Sequence, residues 1–211
     1  MFSLLLAVIY LAFISLGLPD SLLGSVWPTI YQEFNVPVSY AGAIFMIISA
    51  GTIFSSLQSD RLTKLLGTGK VTAFSVLMTA VALWGFSISS SYWMLVLWAI
   101  PYGLGAGSVD ASLNNYVALH YKSHHMSWLH CMWGVGASIG PYIMSFALLN
   151  GQTWNMGYRY ISLIQVVLTI IIMLSLPLWK KRPVIDDVDG VQESENKKDK
   201  ALTLKEIVNI P

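Results

Sequence analysis

Residues 92–118 read YWMLVLWAIPYGLGAGSVDASLNNYVA. A single charged side chain, Asp110, interrupts this apolar stretch, which is long enough to cross a bilayer as a helix. Such a span takes about 20 mostly apolar residues. Five other stretches pass the same test: Ser3 to Ile30, Ser39 to Gln58, Val71 to Ile88, Ser127 to Leu149 and Tyr158 to Trp179. With Tyr92 to Ala118 they make six. The expected fold class is therefore an all-α membrane protein with six transmembrane helices. The first and fourth spans are the long ones, and each carries proline and several glycines.

Composition agrees. Hydrophobic residues make up 55% of the chain and charged residues 11%, with a mean hydropathy of +0.62. A soluble domain carries about 25% charged residues. Up to Trp179 the acids are Asp20, Glu33, Asp60 and Asp110, and the bases are Arg61, Lys64, Lys70, Lys122 and Arg159; the rest crowd into residues 180–211. The net charge of +1 averages an apolar body with a polar tail and gives no footprint for nucleic acid. Cys131 is the only cysteine, which excludes an intrachain disulfide. Met1 to Leu18 lacks a basic n-region and a small-residue cleavage site, so it reads as a retained first helix.

Charge also orients the spans. Arg61, Lys64 and Lys70 lie in the second connection, Lys122 in the fourth, and Lys180, Lys181 and Arg182 follow the sixth span, whereas the intervening connections hold only Arg159. By the positive-inside rule both termini face the cytoplasm of a multi-pass protein, expected in the cell membrane.

Asp20 and Asp110 stand out because an Asp at a helix centre costs about 2.5 to 3.5 kcal/mol on insertion scales. Either alone reads as a packing hydrogen bond or as a functional acid. Their matched settings favour the second reading. Both follow the pattern Gly-x-x-Asp, at Gly17 and Gly107, and both precede a Ser and a Leu, at Ser21-Leu22 and Ser112-Leu113. The first and fourth spans each open a set of three, as an inverted 3+3 repeat with a site near the midplane requires. Gly17, Asp20, Gly24 and Trp27 fall on one helical stripe, and Gly103, Gly107, Asp110 and Asn114 on another. Glycines beside a buried acid let a helix or ligand come close, and Pro19 removes a backbone donor next to Asp20. A carboxyl that takes up and releases a proton as a cavity opens meets the requirement for coupling.

The connection Asp60-Arg61-Leu62-Thr63-Lys64-Leu65-Leu66-Gly67-Thr68-Gly69-Lys70 resembles the signature loop of the major facilitator superfamily, an Asp-Arg pair followed by spaced bases and glycine. Ser56 stands where the family usually has Gly. The resemblance implies a cytoplasmic gating latch formed by Asp60, Arg61, Lys64 and Lys70; the positive-inside rule alone would also explain Lys64 and Lys70. Gly103-Leu104-Gly105 through Asp110 to Asn114-Asn115, with Leu129-His130 and Gly134 to Gly140-Pro141, is similar to the fucose permease and glucose-transporter-like sugar branch. There, acids of helices one and four serve proton coupling or sugar binding, and Asp20 and Asp110 match those places. The helix-four acid of the fucose permease is Glu, and the family's helix-four Arg is Ala99 here. Gly136-x-x-x-Gly140-Pro141 resembles an antiporter motif without its trailing glycines and reads as a packing motif.

What the resemblance implies is the N-terminal six-helix half of a twelve-helix transporter. It would move a small polar solute, a sugar, with protons by alternating access, using Asp20 and Asp110 for coupling or substrate. Asn114 and Asn115 would offer hydrogen bonds to substrate. Trp27 and Trp133 either anchor at the membrane interface or stack on a sugar ring. Residues 1–182 are expected to form the transporter half, 183–200 a disordered cytoplasmic linker too poor in apolar groups to bury a core, and 201–211 the start of an amphipathic helix bridging to a second half. The expected partners are the lipid bilayer, a small-molecule substrate, and either the missing C-terminal six-helix half or a second copy. A non-transporting membrane adaptor or receptor that retains the fold is the alternative. Gly67-Thr-Gly-Lys70 is not a phosphate loop, because Lys64 and Val71 stand where Gly and Ser or Thr are needed. His120, His124 and His125 lack a Cys or acid beside them and read as interfacial rather than as a metal site. Nothing asks for a cofactor, and no nucleophile and base stand at useful spacing for an enzyme.

Overall fold

A computed structural model of the chain describes residues 4–180. Among them are seven α-helices: α1 Leu4–Asp20, α2 Leu22–Glu33, α3 Tyr40–Leu66, α4 Thr68–Ser87, α5 Tyr92–His120, α6 His124–Leu149 and α7 Trp154–Ser175, with a 3₁₀ turn at Leu176–Lys180. The α1–α2 pair forms one interrupted span, and the described residues hold six helices long and apolar enough to cross a membrane. The linker expected at 183–200, the amphipathic segment at 201–211 and the bases Lys181 and Arg182 lie outside the described residues.

The helices pair in a pattern with internal symmetry. α1 lies along α6, α3 along α5, α4 on both α5 and α7, and α1 also touches α7. Exchanging the first three spans with the last three returns the same pairs, as an inverted repeat demands. Both close pairings depend on small residues. Gly136 and Gly140 of α6 lie against the Ile14 and Leu18 carbonyls of α1, and Gly17 lies against the Trp133 carbonyl; Gly103 and Gly107 of α5 meet the Ile48 and Thr52 carbonyls of α3. A Cβ at any of these positions would overlap backbone, so the glycines set the helix separation. Serines and threonines of α3 then bond across the seam: Thr52 to the Gly103 carbonyl at 3.3 Å, Ser56 to that of Gly107 at 3.2 Å, and Ser55 to Ser108 and the Leu104 carbonyl.

Prolines free carbonyls that lipid cannot satisfy. Pro19 leaves the Ser15 carbonyl without its helical donor, and the Gln165 amide of α7 donates to it at 2.5 Å while the Ser15 hydroxyl donates to Gln165 Oε1 at 2.6 Å. Pro141 does the same to the Ala137 carbonyl, which the Ser21 hydroxyl reaches at 2.7 Å. The break between α1 and α2 is thus stitched to α7 on one side and to α6 on the other. Asp20 is the last residue of α1, held at that stitched break.

Several helix ends lie beyond the sequence expectation. The second span runs to Leu66, so Asp60, Arg61 and Lys64 stand on its last turns and the connection shrinks to Gly67, whose φ of +83° suits glycine. An Asp60–Lys64 pair one turn apart, with Lys64 in the last turn, supports the extension. The fifth span begins at His124 rather than Ser127, and the sixth at Trp154 rather than Tyr158. Apolar side chains gather in two clusters along the bundle. One includes Leu22, Trp27, Phe86, Tyr102 and Trp154; the other includes Leu6, Phe13, Val109, Leu113 and Ile172.

Gln165→Leu should destabilise the purified protein in detergent by about 1 kcal/mol, because the Ser15 carbonyl loses its donor. Adding Pro19→Ala restores a backbone N–H at that position and should recover most of the loss. Thermal unfolding of the two single variants and the double variant checks this; simple additivity would count against the stitch.

Candidate functional site

A cavity of about 400 Å³ opens between the two apolar clusters, lined by Phe13, Leu16 and Asp20 of α1, Ile48 and Thr52 of α3, Tyr102, Ala106 and Asp110 of α5, and His130 and Trp133 of α6. Phe13 and Leu16 belong to one cluster and Tyr102 to the other, which puts the cavity midway along the bundle. Its walls are mostly apolar, with a few convergent polar groups, as solute sites usually are.

Both oxygens of Asp20 are occupied. The Tyr102 hydroxyl donates to Oδ1 and the Trp133 indole N–H to Oδ2, each at 2.8 Å. One carboxylate therefore joins the α1 break to α5 and α6 through neutral donors. Asp110 accepts from the Asn114 amide at 3.0 Å, one turn along its own helix. Neither acid pairs with a lysine or arginine among the described residues. The cavity face of α5 is the stripe 102, 106, 110, spaced four apart, whereas Gly103 and Gly107 on the adjacent stripe pack against α3. The same helix thus presents the acid to the cavity and the glycines to its neighbour.

A second cavity of about 220 Å³ lies beside the first, lined among others by Pro19, Leu23, Phe45, Phe86 and Tyr158. Asp20, Ile48 and Tyr102 line both. The Asp20–Tyr102 hydrogen bond stands in the partition between the two spaces.

The structure brings together Asp20, Asp110 and Trp133 of the residues singled out in the sequence. Asn114 meets the site only through Asp110, and its own Oδ1 is buried without a partner among the described residues. Asn115 is exposed and lies off the cavity lining. Trp27 is also elsewhere: it is 5% exposed in the core and donates its indole N–H to the Val38 carbonyl at 2.8 Å. The helix break at Ser21 separates α2 from the stripe that Asp20 occupies, so helical spacing does not carry across it. Trp133 meets Asp20 through its N–H. Tyr102 was not singled out, and His130 stood only within the Leu129-His130 pair, with no role assigned. The helical stripe 102, 106, 110 was the available signal for the first, and the three-residue spacing to Trp133 for the second.

Of the expected latch, Asp60 and Lys64 bond to each other at 2.7 Å, both largely exposed, and tie no two helices together. Such an exposed pair contributes little. Arg61 turns toward the space between α3 and α4, and Lys70 lies by Trp179 at the start of α4.

Comparison with known proteins adds to this geometry. The family model described as the Major Facilitator Superfamily matches residues 9–211. The chain is 22% identical over 197 residues to the Bypass of stop codon protein 6 of Saccharomyces cerevisiae, covering 89% of this chain and 38% of that protein. It is 22% identical over 151 residues to the Glucose/mannose transporter GlcP of Bacillus subtilis, covering 71% and 37%. The inward open conformation of the xylose transporter XylE from E. coli is similar in fold, with a TM-score of 0.62 at 13% identity over 83% of this chain and 49% of that one. The chain spans less than half the length of these relatives.

Asp20→Asn replaces one acceptor by a donor facing a donor, and Trp133→Phe removes the indole N–H. Their effects on unfolding in detergent should be coupled by about 1 kcal/mol. A double-mutant cycle with no coupling would separate the two side chains.

Proposed function

The chain belongs to the Major Facilitator Superfamily, and on that premise we propose that it forms the six-helix half of a secondary transporter for a small polar solute, a sugar, coupled to protons through Asp20 and Asp110. Membership places it among transporters rather than enzymes. The observation that carries the reading is the pair of intramembrane carboxyls lining one cavity without a lysine or arginine partner among the described residues. An acid within a membrane span and without a fixed cation calls for a proton or a substrate to balance it.

The sugar reading rests on two kinds of support. GlcP is named for glucose and mannose, and XylE for xylose. The cavity also offers what a polyol needs: hydrogen-bonding groups at Thr52, Tyr102, Asp110 and His130 among apolar walls. Substrate hydroxyls are suited to replace the Tyr102 and Trp133 donors on Asp20. That exchange would free Tyr102 and Trp133 from the carboxylate, with Ser21 still holding the break to α6, and open the partition between the two cavities. Trp133 acts in this scheme as a donor to the carboxylate.

Alternating access requires a second unit across the cavity. α3 buries only Ile44, Ser55 and Ser59, and α6 only Leu129, Gly136, Gly140, Met144 and Ala147. These two helices are the natural seats for a C-terminal half or a second copy, with residues 1–182 as the first unit and 183–200 as the link. Lys70 at the inward end then remains available to latch against that partner, with both termini cytoplasmic.

Labelled glucose, mannose and xylose offered to vesicles carrying the whole protein test this reading. Accumulation driven by an inward proton gradient is expected for at least one of them. Asp20→Asn and Asp110→Asn should each lower accumulation at least ten-fold. Exchange of labelled for unlabelled sugar, which needs no net proton movement, should survive better in the coupling variant. Absence of uptake despite an intact fold would favour the adaptor reading.

A further inference from the structure

α3 and α4 follow one another through Gly67, yet they lie on two sides of α5 and scarcely touch each other. Between them runs a groove of about 550 Å³. Leu104 of α5 forms its floor, Phe54 and Leu65 of α3 one wall, and Phe74 and Met78 of α4 the other. Phe54, Leu65 and Phe74 are large apolar side chains left exposed, at 60%, 81% and 62%. A groove lined this way in a membrane is a seat for hydrocarbon, since an empty one would forfeit the dispersion contacts of its lining.

Its end at the α3–α4 connection is different. Arg61, six residues before Gly67, lines the groove on the approach to that end. Asp60, the adjacent acid, is already paired with Lys64 at 2.7 Å, and Arg61 has no acidic partner among the described residues. Residues 60–70 carry three bases against one acid, so the mouth is positive. A guanidinium matches a phosphate in geometry as well as charge, and the inward orientation expected from the basic connections turns this end toward the leaflet rich in anionic lipid.

We propose that the α3–α4 groove is a specific seat for one anionic phospholipid, its acyl chain between Phe54 and Phe74 and its phosphate on Arg61. Apolar walls open to the bilayer and a guanidinium without an acidic partner among the described residues supply the two halves of that recognition, and the seat is separate from the cavity of Asp20 and Asp110.

The full chain, reconstituted in nanodiscs of equal parts phosphatidylcholine and phosphatidylglycerol and released for native mass spectrometry, gives the count of retained phospholipids. Wild type should retain phosphatidylglycerol in preference to phosphatidylcholine. Arg61→Gln should lower phosphatidylglycerol retention about five-fold, and Lys122→Gln, a base on another connection, should leave it unchanged. Met78→Trp should fill the groove and lower retention of both lipids. Should that variant misfold, the exposed Arg61 and Lys122 substitutions still decide the matter. Equal retention of the two lipids by wild type, an unchanged count in Arg61→Gln, or an equal loss in Lys122→Gln would overturn the proposal. A wild-type protein retaining no phospholipid would also overturn it and leave the face to a protein partner.

Discussion

Hydrocarbon offers no hydrogen bonds, so a backbone carbonyl freed inside a membrane helix must find a donor within the protein. Pro19 and Pro141 each free one. Gln165 answers the first and Ser21 the second, and both answers converge on the junction of α1 and α2. That junction is where Asp20 stands. The acid is held at a helix break whose loose ends are tied to α6 and α7, so its carboxylate faces the cavity from a fixed base while its own two partners come from α5 and α6. Three helices meet at this carboxylate and the fourth ties in at Ser15, so displacement of either neutral donor reaches the packing of the first span.

Glycine makes the arrangement compact enough to matter. Gly136 and Gly140 bring α6 onto α1, and Gly103 and Gly107 bring α5 onto α3, in two pairings related by exchange of the three-helix sets. A methyl group at these positions would push the helices apart and widen the cavity by moving Trp133 or Asp110 with them. The same residues that read as a repeat signal in one dimension therefore set the spacing of the site in three.

How far the sequence led depended on which property each residue expresses locally. Six apolar runs announce six spans, because span length is fixed by the bilayer and needs no tertiary context. Asp20 and Asp110 announce themselves because a carboxyl amid apolar residues has few bland explanations. Tyr102 and His130 gave no such warning: a tyrosine at a helix face is ordinary, and only the approach of α1 and α6 to α5 gives it a role. Trp27 shows the converse. Its place on the Asp20 stripe assumes one continuous helix, and the break at Ser21 sends it into the core against the Val38 carbonyl. Asp60 to Lys64 read as a loop because of their charge, yet an Asp–Lys pair at helical spacing continues α3 past the apolar run.

The central claim is that Asp20 and Asp110 share one water-accessible space inside the bundle. Its most direct measurement is the reactivity of single cysteines toward a membrane-impermeant thiosulfonate, in a background with Cys131→Ser. Thr52→Cys and Ala106→Cys, on the α3 and α5 walls of the cavity, should react, and Val167→Cys on the outward face of α7, 56% exposed to the surroundings, should not once it lies in lipid. Protection of both cavity positions, with the fold intact by circular dichroism, would mean the two acids do not share an aqueous cavity and would contradict the account.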